Sequence, residues 1–297
     1  MKIYMLIFLF VFQNCRPTMS SNRSATGVVE DIRDRIAKGK DVYVEHREID
    51  EELDFTALTP AYTVSPGSKR VKIEGSITFY KCQFKGKITG YRTNSTLTEN
   101  TAVSFAKNIT FIECTFEEEV NLRACTVIDL ACFSNCFFLK KANFEECDFR
   151  GHAVFAKNQF KEVARFQNVY FGNKADFFRS EFFERFNFQG AVFMLDAQFS
   201  SLKSYKSADF ATVQFNGHAF FNYSEWQGQA GFEDAWFKGR CEFLSAKFEK
   251  AAFKNSRFFS APRFDQAVVA STLDLTGARF MEREPQLTGV DISKVLR

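Results

Sequence analysis

The chain has 297 residues, 39 of them phenylalanine against 8 tyrosines and 2 tryptophans, and a formal net charge of +3. That length suits one large domain or two ordinary ones, with far more phenylalanine than a mixed globular core needs. Between Phe105 and Phe280 the 21 Lys and Arg equal the 21 Asp and Glu, and a field so balanced neither attracts a phosphate backbone nor imitates one, so no nucleic acid is expected as a partner.

The chain opens with "MKIYMLIFLFVFQNC": one lysine, an apolar run from Ile3 to Phe12, then Cys15. The run is about half the length a helix needs to cross a bilayer, and a charged start before a short apolar run predicts an export signal over 1–15. A cysteine directly after the run resembles the bacterial lipoprotein signal, which implies lipidation of Cys15 and attachment to a membrane through the new N-terminus. Phe12, Gln13 and Asn14 depart from the aliphatic and small residues usual there. An ordinary cleaved signal with an incidental cysteine is the alternative. The expectation is an exported protein of the cell envelope, periplasmic or at the outer membrane; the alternative is a cytoplasmic one.

Residues 16–25 read as a short tether, small and polar from Ser20 to Ala25. The spacing of Val28, Val29, Ile32 and Ile36, with acids early and Lys38-Gly39 at the end, predicts an amphipathic helix. Its apolar stripe has one plain use, covering the open end of whatever follows. A strand follows it, so that 26–48 is a cap of helix and strand. Pro60, Pro66 and Gly67 mark 57–70 as a loop, and the polar run "YRTNSTLTENT" marks 91–101 as another.

Everything else is periodic. Large apolar centres recur at 105, 111, 116, 122, 127, 133, 138, 144, 149, 155 and 160, at steps of five and six by turns, so the repeat is eleven residues. The series runs on to Phe280, shortened by one residue around Phe253 and Phe258, with Ser204 its only polar centre. Ser204 marks a local bend, or Tyr205 swings in to replace the missing ring. Two residues before each centre sits a small side chain, as at Ala142, Cys147, Ala153 and Asn158. Minus two and centre share one face of a strand, and the intervening residue is often polar (Asn143, Asp176, Asn187, Asp209). Turn-prone residues such as Gly151, Gly172 and Gly217 follow. Eleven residues would bring two walls too close for facing rings, whereas 22 make four walls whose four rings fill one layer.

This pattern resembles the pentapeptide-repeat family in its Phe-centred form, over about residues 71–280. The resemblance implies an all-β fold, a right-handed quadrilateral β-helix, here with alternate corners lengthened by the extra residue. The solenoid is expected over 49–292, with 293–297 as a tail.

Placed on the repeat, Cys82, Cys114, Cys125, Cys136, Cys147 and Cys241 fall in the small inward slots. Cys114 stacks on Cys136 and Cys125 on Cys147, on different walls, which does not converge four ligands on a metal. Buried inert thiols are the plain reading and stacked disulfides the sharper one. Cys132 lies just before a centre, so it should face outward and be the most reactive solenoid thiol. His152 and His218 share a corner position three coils apart, too far for one metal. No nucleophile, base and acid grouping, nucleotide loop or metal pattern is recognisable, so no enzyme activity and no cofactor is expected.

Function is then sought on the surface. Phe178, Phe183, Phe220, Trp236 and Phe259 fall beside centres and form a candidate contact surface for a protein partner of unknown identity. The loop at 91–101 is the other candidate. Three readings follow: a non-enzymatic envelope scaffold, a DNA-mimicking topoisomerase binder of the kind known among pentapeptide-repeat proteins, and an enzyme using a wall as a platform. The charge balance and the export signal disfavour the second.

Overall fold

A computed structural model describes residues 27–96 and 98–297; the expected signal, Cys15 and the tether lie outside the described residues. The periodic region winds into a parallel β-solenoid with four walls. Wall 1 is nine strands deep, from Val42–Glu45 to Cys241–Glu242. Walls 2 and 3 join into one 18-stranded sheet, because Glu225–Gly231, Lys247–Ala252 and Val268–Asp274 run round the corner between them. Wall 4 ends at Arg279–Phe280. Register confirms the coil length: Ala131 pairs with Ala153, and Ala153 with Ala175, 22 residues on each time. The one-residue shortening is absorbed at the corner of walls 2 and 3, where Trp226 pairs with Phe248 but Gln229 with Lys250.

The rings behave as their quadrupoles dictate. Up each column they stack face to face with an offset, as in Phe144–Phe166 at 5.0 Å and 12° and Phe166–Phe188 at 4.6 Å and 6°. Between columns they meet edge to face, as in Phe166–Phe177 at 5.4 Å and 90°. Beside them the minus-two residues Ala142, Cys147, Ala153 and Asn158 are buried.

The two step lengths are two kinds of corner. Each five-residue step is a tight turn whose third residue has positive φ, recurring every eleven residues from Glu113 through Ala124 and Asn135 to Ser245. At one such corner Phe144 O accepts from Cys147 N at 3.2 Å, Asn143 Oδ1 accepts from Glu145 N at 3.0 Å, and Glu146 N donates to Gln167 O of the next coil at 2.9 Å. These are type II turns, which glycine or asparagine suits best. The polar residue between minus two and centre therefore does more than face water, since it caps the turn. The six-residue corners pack backbone on backbone: a Cβ on Gly151 would lie 1.5 Å from Asp129 O.

Both ends of the expected solenoid extend. Helix α1 (Val28–Ala37) buries Val28, Val29, Ile32 and Ile36 in the same cluster as Val42, Leu53 and Phe55, as the stripe predicts. The strand behind it, Val42–Glu45, pairs with Ile77–Tyr80 and is the first rung of wall 1. The residues expected as a tail supply a last rung, with Leu273 opposite Val295 and Asp274 opposite Leu296.

Ser204 neither bends the rod nor draws in Tyr205. It is fully buried, and the ring missing from its column comes from Phe186, in a slot that holds alanine in the coils on either side, at Ala164 and Ala208. Phe186 stacks on Phe182 at 3.9 Å and lies 6.3 Å from Trp226, bridging the gap. Tyr205 instead stacks on Phe183 on the outer face, 4.8 Å away.

Candidate partner-contact surfaces

The five candidate aromatics do not converge. Phe220 lies on wall 1 and Phe178 at the corner after it, Phe183 follows the wall 2 centre Phe182, and Trp236 and Phe259 belong to wall 4. Only Phe259 is exposed; the other four are half-buried. Most are engaged with neighbours: Lys161 Nζ sits 3.4 Å from the Phe183 ring centre, Arg257 packs over Trp236 at 4.7 Å, and His218 meets Phe220 edge-on at 6.0 Å. They make local ladders rather than one patch.

Cys132 is a correction. It does face away from the tube, but with Ile112, Val154 and Ala156 it forms a small outer core, packed against Tyr80, Leu130 and Phe178. Only 3% of it is exposed, and burial pushes its thiol up to about 12. It is not a reactive site. The other described cysteines are also buried and all seven are free thiols. Burial raises Cys125 to about 12 and moves Cys147 and Cys241 well above their ordinary value. Polar side chains in these slots find carbonyl partners, as where Cys147 Sγ donates to Leu122 O at 2.9 Å and Asn158 Nδ2 to Phe133 O at 2.7 Å. Among the described residues no group of three or more His, Cys, Asp or Glu is arranged to hold a metal.

The feature that breaks the repeat is elsewhere. Wall 3 and wall 4 centres are five residues apart in later coils, but 18 positions separate Phe55 from Ile73 and 15 separate Gly90 from Phe105. Both extra segments leave the same corner, in successive coils. Where loops are expected at 57–70 and 91–101, the chain forms two β-hairpins. β1 (Ala61–Ser65) is antiparallel to β2 (Ser68–Ile73), and β3 (Tyr91–Thr93) is antiparallel to β4 (Asn100–Phe105). β2 and β4 pair in parallel from Ser68↔Asn100 to Ile73↔Phe105. The result is a four-stranded flap, ordered β1-β2-β4-β3, whose two central strands continue straight into wall 4.

Local chemistry explains the flap. Pro66-Gly67 occupies the middle of the first turn, with Gly67 at φ 76, as a type II turn requires. A Cβ there would lie 2.7 Å from Thr98 O, and Gly67 O accepts from Asn100 N at 2.8 Å, so the two hairpins lock together. Asn94 organises the second turn, its Oδ1 accepting from Thr98 N at 3.0 Å and Glu99 N at 3.2 Å. The flap is pinned to the rod by Arg92, which bonds Asp54 at 2.6 Å and Glu52 at 2.8 Å on wall 3, and by Arg70, which donates to Ala124 O. A cleft of about 230 Å³ runs where it leans on wall 3, lined by Glu52, Lys87, Tyr91, Arg92 and Glu119.

β1 is the outermost strand of this sheet, and all five of its residues are exposed, with Tyr62 at 49% and Val64 at 58%. Sequence reasoning placed the second hairpin among its candidates and missed β1, although "AYTVS" between two prolines is a strand signal with bounded ends.

Comparison with protein families, with characterised proteins and with solved structures finds no match in any of the three.

Proposed function

We propose that this chain is a rigid, non-enzymatic scaffold, exported and held at a membrane through its N-terminus, which presents its flap to a protein partner. The observation that carries the reading is the convergence of both insertions on one corner, where they merge into a single pinned sheet. In a stacked-repeat architecture, insertions gather on the face that binds. The resemblance to pentapeptide-repeat proteins and the 22-residue coil support the scaffold, and the "MKIYMLIFLFVFQNC" start supports export. A topoisomerase-binding role gains nothing from a solenoid with 21 cations and 21 anions between Phe105 and Phe280.

The test is to fractionate cells expressing the wild type and Cys15→Ala while a photo-crosslinking residue replaces Tyr62 or, as a control, Gln198. The wild type should partition with membranes, Cys15→Ala should be released, and specific adducts should form from position 62 and not from 198. Cytoplasmic wild-type protein would sink the anchored reading, and adducts from 198 alone would remove the flap from it.

A further inference from the structure

We infer that the flap binds its partner by strand addition: an extended, acidic segment of another protein pairs along the free edge of β1. This rests on the scaffold reading above and names the mode and chemistry of its contact. An edge strand presents a row of unpaired N–H and C=O groups, which natural proteins usually blunt with charge, proline, a bulge or a cover. β1 carries no charged residue and no proline within Ala61–Ser65, and among the described residues no strand lies beyond it. Its one irregularity, between Thr63 and Ser65, leaves the strand extended against β2. Pro60 and Pro66 bound it, so the edge offers five residues and no more.

An edge this open on a hairpin that moved freely would ordinarily be costly to order on binding. Here it is held in place, because β2 is hydrogen-bonded along its whole length to β4, and β4 continues into the stack of wall 4. Preorganisation of this kind removes much of the ordering cost that weakens peptide binding.

Charge selects the occupant. Residues 57–73 contain Lys69, Arg70 and Lys72 and no acid. Glu99 and Glu74 pair with Lys69 and Lys72 at 2.9 and 2.8 Å, and among the described residues Arg70 donates to a carbonyl and pairs with no acid, so the hairpin keeps a positive surplus. A second copy paired edge to edge would bring the same surplus opposite itself, with nothing to attract it. A strand added to β1 lies about 10 Å from β2 by the strand spacing, close to the screening length at 0.1 M salt, so carboxylates on it are drawn in. Its side chains on one face would meet Tyr62, in the manner of ordinary cross-strand pairs.

The experiment uses the chain from residue 16 onward and the labelled peptide Glu-Val-Thr-Val-Thr-Glu, read by fluorescence anisotropy and by hydrogen exchange. Saturable binding is expected, with slowed exchange at the amides of Ala61–Ser65. Lys in place of both Glu residues should weaken binding at least tenfold, as should N-methylation of alternate peptide amides, which removes donors and leaves charge unchanged. Val64→Glu should weaken it similarly without moving the melting temperature, since Val64 is exposed. Equal binding of the N-methylated peptide, protection elsewhere than β1, or no binding at millimolar peptide would overturn strand addition. A dimer in sedimentation that Val64→Glu dissolves would overturn it in favour of a second copy. If the peptide fails while position 62 still crosslinks in cells, strand addition falls and the scaffold reading stands.

Discussion

Single residues carry most of the regularity of this fold, and the exceptions show what each slot demands. Ser204 leaves a gap that Phe186 fills from a neighbouring column. Phe186→Ala should therefore leave a true cavity and destabilise by about 3–5 kcal/mol, as truncation of a buried ring does. Adding Ser204→Phe should recover most of that loss, because the pair restores the ordinary small-and-large pattern; urea unfolding of the two singles and the double gives the coupling. Counting centres finds Ser204 at once. It does not find Phe186, because the signal is a large residue in a slot that is not a centre.

The thiols give a pH dependence with a definite sign. Burial holds Cys125 and Cys132 protonated up to about 12, whereas in the unfolded chain a thiol ionises near 8.5. Their contribution is whole below that unfolded value and is lost as pH rises toward the folded one, since the unfolded state then binds fewer protons. Unfolding free energy should fall between pH 8 and 11, by at most about 1.4 kcal/mol per pH unit for each buried thiol. Equal stability at pH 8 and pH 10.5 would contradict the burial. The same burial should keep all seven described thiols unlabelled by a thiol reagent at pH 8 until denaturant is added.

Elements here are short strands joined by corners, and the corners decide what the chain tolerates. Thr212 has φ 56, a conformation that costs a β-branched residue about 1–2 kcal/mol. Thr212→Gly should stabilise the protein by roughly 1 kcal/mol in urea unfolding, the reverse of glycine's usual effect in a strand. The shortened coil that pairs Gln229 with Lys250 shows that a corner of walls 2 and 3 can lose a residue. One residue inserted between Lys161 and Glu162, at the same corner of an earlier coil, should cost less than about 1 kcal/mol. The same insertion between Arg165 and Phe166 reverses which side chains face inward and should cost about 3–5 kcal/mol.

At this scale the sequence was legible wherever it repeats. The alternation of five and six gave four walls, a 22-residue coil and the two corner types, because strand alternation and ring volume leave few other solutions. The flap was legible only in part, since "AYTVS" between Pro60 and Pro66 carries a strand signal and the second hairpin carries none. "YRTNSTLTENT" has no apolar face to mark a strand, and its strands exist because each hairpin pairs with the other across coils. Cys132 was misjudged for a related reason: facing outward from a wall is not exposure when Ile112, Val154 and Ala156 crowd the same face.

The described residues form a stiff rod with one protruding flap, and the proposal that the function lies in the flap makes the two separable. Insertions at a corner contribute little to a solenoid whose stability comes from stacked neighbouring coils. Reducing both segments to the five-residue corner used elsewhere, so that Phe55 leads to Ile73 and Gly90 to Phe105 as Leu122 leads to Val127, should leave the rod intact. The decisive measurement is made on that flapless chain: far-UV circular dichroism and urea unfolding for the rod, and partner crosslinking in cells from a photoreactive residue at Tyr170 on wall 4. The account predicts unchanged unfolding within about 1 kcal/mol and complete loss of the adducts that the intact chain forms through its flap. A flapless chain that still captures the same partner would contradict it.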